Sequence, residues 1–97
     1  MKVEYHPLTV SDLNNAVAYL NRQRAGLGDG LRSEVYAAIE RIRANPAQHP
    51  VVTHGTRRCF VHRFPYAVLF RVVSEDLLRV LVIRHHRRHP NFGFGRR

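Results

Sequence analysis

The sequence predicts an α+β fold: a small, mainly antiparallel four-stranded sheet with an N-terminal helical hairpin packed on one face, in the order βααβββ. Three observations carry this. Between Arg57 and Arg88 lie three runs rich in Val, Leu and Phe, each of strand length and separated by turn residues. Upstream, two stretches repeat apolar residues at i, i+3, i+4 spacing. A glycine-rich segment separates those two stretches, and Asn45-Pro46 closes the second.

In chain order, Lys2-Val3-Glu4-Tyr5-His6 alternates as a short first strand and stops at Pro7. Thr9 reads as an N-cap with Asp12 three residues on as its capping-box acid. Val10, Leu13, Ala16, Val17 and Leu20 then share one helical face, and the helix ends near Arg24. Ala25 to Gly30, with three glycines, reads as a turn. Leu31, Val35, Ala38, Ile39 and Ile42 form the stripe of a second helix, ended by Asn45-Pro46. Ala47 to Gly55 reads as a loop. Arg58 to Arg63, Ala67 to Val73 and Leu77 to His85 are the remaining strands, joined by Phe64-Pro65-Tyr66 and by Ser74-Glu75-Asp76. The tail from His89 to Arg97 is basic and aromatic, and its glycines argue against a long helix.

Residues 1–97 are enough for one domain with a single modest core. No apolar run approaches the roughly 20 residues that span a bilayer, and the N-terminus lacks a signal-peptide core, so a cytoplasmic place with no membrane is expected. The lone cysteine, Cys59, forms no internal disulfide and agrees with a reducing compartment. The net charge is +9, and it is lopsided. Residues 1–53 hold six Lys or Arg against five acids, whereas residues 54–97 hold ten Arg against Glu75 and Asp76, a local excess of +8. Such a field favours an anionic partner, nucleic acid or an acidic protein. Fifteen of the sixteen cations are Arg, whose planar fork suits phosphate and carboxylate.

His85 and His86 are adjacent on a strand and should face opposite sides. No histidine or cysteine spacing marks a closed metal site, so neither metal nor cofactor is expected. Cys59 reads as a partly buried strand residue and Tyr66 as a cap on the core edge. Asp12 and Glu40 read as helix caps or solvated charges. Val10, Leu27 and Tyr36, at the margins of the helical stripes, are candidates to receive a partner helix.

The residues Gly26-Leu27-Gly28, Asn45-Pro46, Arg63-Phe64-Pro65-Tyr66-Ala67-Val68-Leu69-Phe70-Arg71-Val72 and Val82-Ile83-Arg84-His85-His86-Arg87-Arg88-His89-Pro90 together resemble the RelE/ParE superfamily of bacterial type II toxins. The resemblance covers nearly the whole chain and is stronger to the ParE and plasmid-stabilisation branch. That branch implies a toxin that inhibits DNA gyrase by binding, with no catalytic residue and a surface made of Arg58, Arg84, Arg87, Arg88, Phe92, Phe94, Arg96 and Arg97. It also implies a cognate ParD-like antitoxin whose acidic, apolar C-terminal segment meets Val10, Leu27, Tyr36, Arg63 and Arg71. The RelE branch implies instead a ribosome-dependent mRNA endonuclease, for which Arg63, Arg84, His85, His86 and Arg87 are the candidate catalytic residues. Against it, the second strand has no lysine, Ala67 stands where that branch has an arginine, and Phe92 replaces a terminal tyrosine. A basic nucleic-acid-binding module without toxicity is the third reading.

Overall fold

The computed structural model describes residues 1–97. Strand β1 (Lys2–Tyr5) is followed by helices α1 (Pro7–Gln23) and α2 (Leu27–Ala44), a 3-10 turn over Pro46–Gln48, and strands β2 (Val51–Thr53), β3 (Thr56–Phe60), β4 (Tyr66–Ser74) and β5 (Leu77–His85). The α+β class stands, but the sheet has five strands, in the order β1-β5-β4-β3-β2. The added strand lies within the expected loop. Val51–Thr53 pairs antiparallel with β3 through a two-residue turn in which His54 (φ 39°) and Gly55 (φ 81°) are both left-handed. Strand β1 is parallel to β5, and every other pairing is antiparallel.

Helix α1 starts earlier than Thr9. Pro7 occupies its first turn, where a missing N–H costs nothing, and His6 Nδ1 accepts the Leu8 N–H at 3.1 Å. Thr9 is therefore not the cap. It is only 2 % exposed, and its hydroxyl lies 2.6 Å from the Leu81 carbonyl oxygen, to which it donates. Helix α2 likewise begins at Leu27, so Gly28 and Gly30 are helical rather than part of a turn. Gly26 alone takes the left-handed conformation, φ 86°, that the tight link requires. Gly28 serves close approach: a Cβ there would lie 2.1 Å from the Val17 carbonyl oxygen. Its N–H donates to Asn21 Oδ1 at 2.7 Å, so a side chain of α1 caps α2. With Arg32 Nη2 donating to Asn14 Oδ1, these contacts run the two helices antiparallel.

The main core lies between the hairpin and one face of the sheet. Leu13 and Val17 of α1, with Leu31, Val35, Ala38, Ile39 and Ile42 of α2, meet Cys59, Val68, Phe70, Leu78, Val80 and Ile83. Phe70 is fully buried and is the largest of these side chains. A smaller cluster of Leu69, Leu81 and Val82 occupies the other face, covered by Phe92 of the tail.

Strand β5 reaches both clusters through a bulge. Leu69 pairs with Val82 and Phe70 with Val80, which leaves Leu81 without a partner on β4. Val80 and Ile83 thus both face the helices, while Leu81 and Val82 both face away. Polar groups gather at the bulge. Arg96 Nη1 donates to the Leu81 carbonyl at 2.9 Å, and the Ile83 N–H donates to Asp12 Oδ2 at 3.2 Å. Arg96 and Asp12 form an ion pair whose side chains are 11 % and 7 % exposed. Asp12 is accordingly neither a cap nor a solvated charge; it anchors the C-terminus to α1. Glu40, by contrast, is a solvated helix charge paired with Arg43.

Strand β3 ends at Phe60 rather than Arg63, because the chain turns there. Arg63 is left-handed (φ 70°), and the Val61 N–H donates to the Tyr66 carbonyl at 2.9 Å across the turn.

Candidate functional site

The register of β3, β4 and β5 lays two cross-strand rows on the outer face, away from the helices. One row is Arg58, Leu69 and Val82; the next is Phe60, Ala67 and Arg84. Cross-strand neighbours share a face and touch. Ala67, lying between Phe60 and Arg84, offers only a methyl group, and the space it leaves is a cleft of about 390 Å³ lined by Arg58, Phe60, Ala67, Arg84, His86, Arg88 and Pro90.

The side chains of this cleft are held from several directions. The Arg58 guanidinium lies 4.5 Å from the Phe60 ring centroid, and His86 meets the same ring edge-on at 5.1 Å. Phe60 nevertheless remains 52 % exposed. Arg84 Nη1 donates to the tail carbonyls of Pro90 (2.8 Å) and Phe92 (3.4 Å). Arg88 stacks over Phe92 at 4.2 Å. No carboxylate lines the cleft. Burial first, and the Arg58 guanidinium second, push the Arg84 guanidinium below its ordinary value. An arginine keeps its proton regardless, so the shift expresses the cost of burying this cation, added to by its proximity to a second one.

The expected target surface is brought together only in part. Arg58, Arg84 and Arg88 share the cleft, and Arg87 and Arg97 are exposed. Phe92 lies on Leu69, Leu81 and Val82 as the lining of the tail, while Phe94 stays 54 % exposed beside His54. Arg96 is a correction: it points inward to Asp12, since a buried carboxylate demands a partner, and it presents no free guanidinium.

The nuclease set is not assembled. His86 is on the outer face with Arg84, but His85 lies on the other side, edge-on to Tyr66 at 5.0 Å. His85 Nδ1 accepts the Arg87 N–H at 2.9 Å, and burial, then His86 and Arg87, lower its pKa. Arg63 is remote from both, 3.5 Å from Glu34 of α2. Of the antitoxin set, Val10 and Tyr36 line one groove with Tyr5, Leu13, Val35 and Ile39, about 170 Å³ in volume. Leu27 starts α2 outside that groove, and Arg71 sits opposite Thr56 and Arg79 in the sheet. Cys59 is buried, which raises its thiol pKa against the opposing pull of Arg41. Burial likewise raises the Tyr66 phenol. No group of three His, Cys, Asp or Glu side chains converges, and no helix is long and apolar enough to cross a membrane.

Phe60, Ala67 and Pro90 of the cleft belong to none of the candidate sets expected from the sequence. For Phe60 and Ala67 the signal is the register, which places them in one row with Arg84.

A comparison with curated protein sequences finds no match. Among solved structures, nine chains are similar. One of them, a chain of the structure described as "Chromosomal ParDE TA system from P. aeruginosa", superposes with a TM-score of 0.76 at 16% identity, covering 88% of this chain and 95% of that one. At that identity the likeness speaks for the fold. The sequence itself, over residues 3–90, matches the family described as "ParE toxin of type II toxin-antitoxin system, parDE". The chain thus belongs to the ParE toxin family of type II toxin–antitoxin systems.

Proposed function

We propose that this ParE-family toxin inhibits DNA gyrase by binding rather than by turnover, and that a cognate ParD-like antitoxin neutralises it. The observation that carries this reading is the outer cleft. It concentrates Arg58, Arg84 and Arg88 without any carboxylate, while the histidines that would serve acid–base chemistry are divided between two faces of the sheet. A surface of that kind binds an anionic complex and has no paired proton donor and acceptor. The groove of Val10, Leu13 and Tyr36 supports docking of an apolar antitoxin helix, and the basic outer face suits its acidic residues. The parDE description of the family and the ParDE title of the similar structure support an antitoxin as partner.

Inducible expression of the chain is expected to arrest growth with an SOS response and gyrase-trapped DNA breaks. Co-expression of the adjacent short reading frame is expected to restore growth. Primer extension on translated messages separates the alternative, because codon-positioned cuts without an SOS response would establish the ribosome-dependent nuclease instead.

A further inference from the structure

The acids of the chain are distributed away from the outer cleft. Glu4 pairs with Arg79, Asp12 with Arg96, Glu34 with Arg63 and Glu40 with Arg43. Asp29 accepts from Asn21, and Glu75 and Asp76 lie at the β4–β5 turn, at the opposite end of those strands. None of the four ion pairs uses Arg58, Arg84 or Arg88. Arg58 is the clearest case, since its Nε is hidden from solvent with no hydrogen-bond acceptor. A donor in that state is unfavourable, and nothing within the chain answers it. Arg84 makes both of its tail bonds through Nη1, so the rest of its fork is left for an outside acceptor.

We infer that the cleft of Arg58, Phe60, Ala67, Arg84, His86 and Arg88 binds a backbone phosphate of single-stranded nucleic acid, with Phe60 stacking a neighbouring base. The Arg58 and Arg84 guanidiniums line the same cleft, and a tetrahedral anion offers several oxygens to such a pair. The exposed Phe60 ring beside them supplies the stacking platform that distinguishes a nucleotide from a bare anion. The cleft is about 390 Å³ and lies on the face of the sheet, where β4 is hydrogen-bonded on both sides. An acidic peptide could not add there as a strand and would contribute side-chain carboxylates alone. The inference deepens the proposed function by naming the ligand of that face, and it rests on that reading only for the cellular target.

The test uses the full chain. In a titration with inorganic phosphate, the Arg58 Nε–H resonance is expected to shift saturably while those of Arg22 and Arg24 stay in place. In fluorescence anisotropy with a short thymidine oligomer, Arg58→Gln is expected to weaken binding about tenfold. It should also reduce the slope of log affinity against log salt by about 0.7. Arg22→Gln carries the same charge change on an exposed helix end and should match the parent at fixed salt. Phe60→Leu should weaken the oligomer about tenfold while leaving the phosphate titration intact, which keeps the test valid if an arginine variant fails to fold. A flat phosphate titration, equal losses from Arg58→Gln and Arg22→Gln, or displacement of the oligomer by oligoglutamate at matched charge would overturn the inference. Loss of oligomer binding in a chain that still traps gyrase removes this site and leaves the toxin reading. Retained oligomer binding by a chain that spares gyrase supports the site and removes that target.

Discussion

The two faces of one sheet are closed in different ways. Toward the helices, β3, β4 and β5 present Cys59, Val68, Phe70, Leu78, Val80 and Ile83, sealed by two apolar stripes with only Thr9 as a buried polar residue. Away from the helices, the same strands present Leu69, Leu81 and Val82, covered by a short tail, and beside them Phe60 and Ala67 with Arg58 and Arg84. That tail is held by an ion pair, three carbonyl–guanidinium contacts and one aromatic ring. The first face is held by area, which is non-directional and tolerant of small errors. The second is held by a few directional contacts and leaves its cations available. The apolar packing is thus concentrated on one side of a single layer, and Arg58 and Arg84, which belong to none of the four ion pairs of the chain, lie on the other.

The sharpest way to break this division is at the apolar face. Phe70→Ala is expected to cost about 3–5 kcal/mol, read as a fall in the urea midpoint. A loss below 1 kcal/mol would mean that the hairpin is not the main source of stability. A smaller effect is expected from Asp12→Asn, which leaves Arg96 buried without its charge partner. The tail can undock, so the penalty is local, about 1–3 kcal/mol. Amide exchange should then accelerate over Phe92–Arg97 while Val68 and Phe70 keep their protection. Equal acceleration everywhere would show the two faces to be one cooperative unit.

The smallest effect concerns His85, whose pKa is lowered by burial and by nearby His86 and Arg87. Because the folded state resists protonation, the unfolded chain takes up the proton first as pH falls below the ordinary value of 6.5. The His85 contribution to stability is therefore complete above that value and declines below it, levelling once the depressed folded pKa is passed. His85→Gln should flatten this part of the stability profile, and an unchanged acid slope would remove His85 as its source.

Much of the helix-facing side was legible because periodicity is a local property. The two stripes are visible without knowledge of their partners: Leu31, Val35, Ala38, Ile39 and Ile42 are all buried, whereas of the first stripe Leu13 and Val17 are buried, Ala16 and Leu20 half-buried and Val10 exposed. The outer side was legible in its charge but not in its geometry. Thr9 and Asp12 have the spacing of a capping box, and nothing local distinguishes that from a threonine bonded to Leu81 and an aspartate paired 84 residues away. Strand β2 is three residues long, too short for alternation to register, and exists through its pairing with β3. The glycine at 28 reads as a breaker because close helix contact and chain reversal call for the same residue.

The unpaired Leu81 has an effect beyond its own position. A regular strand through the same nine residues would exchange the orientation of everything after it, turning Arg84 toward the helices and Ile83 toward solvent. The address of the cleft's central cation is thus written as a parity change three residues upstream. An insertion or deletion that erased it would disarm the outer surface while leaving every arginine in the sequence.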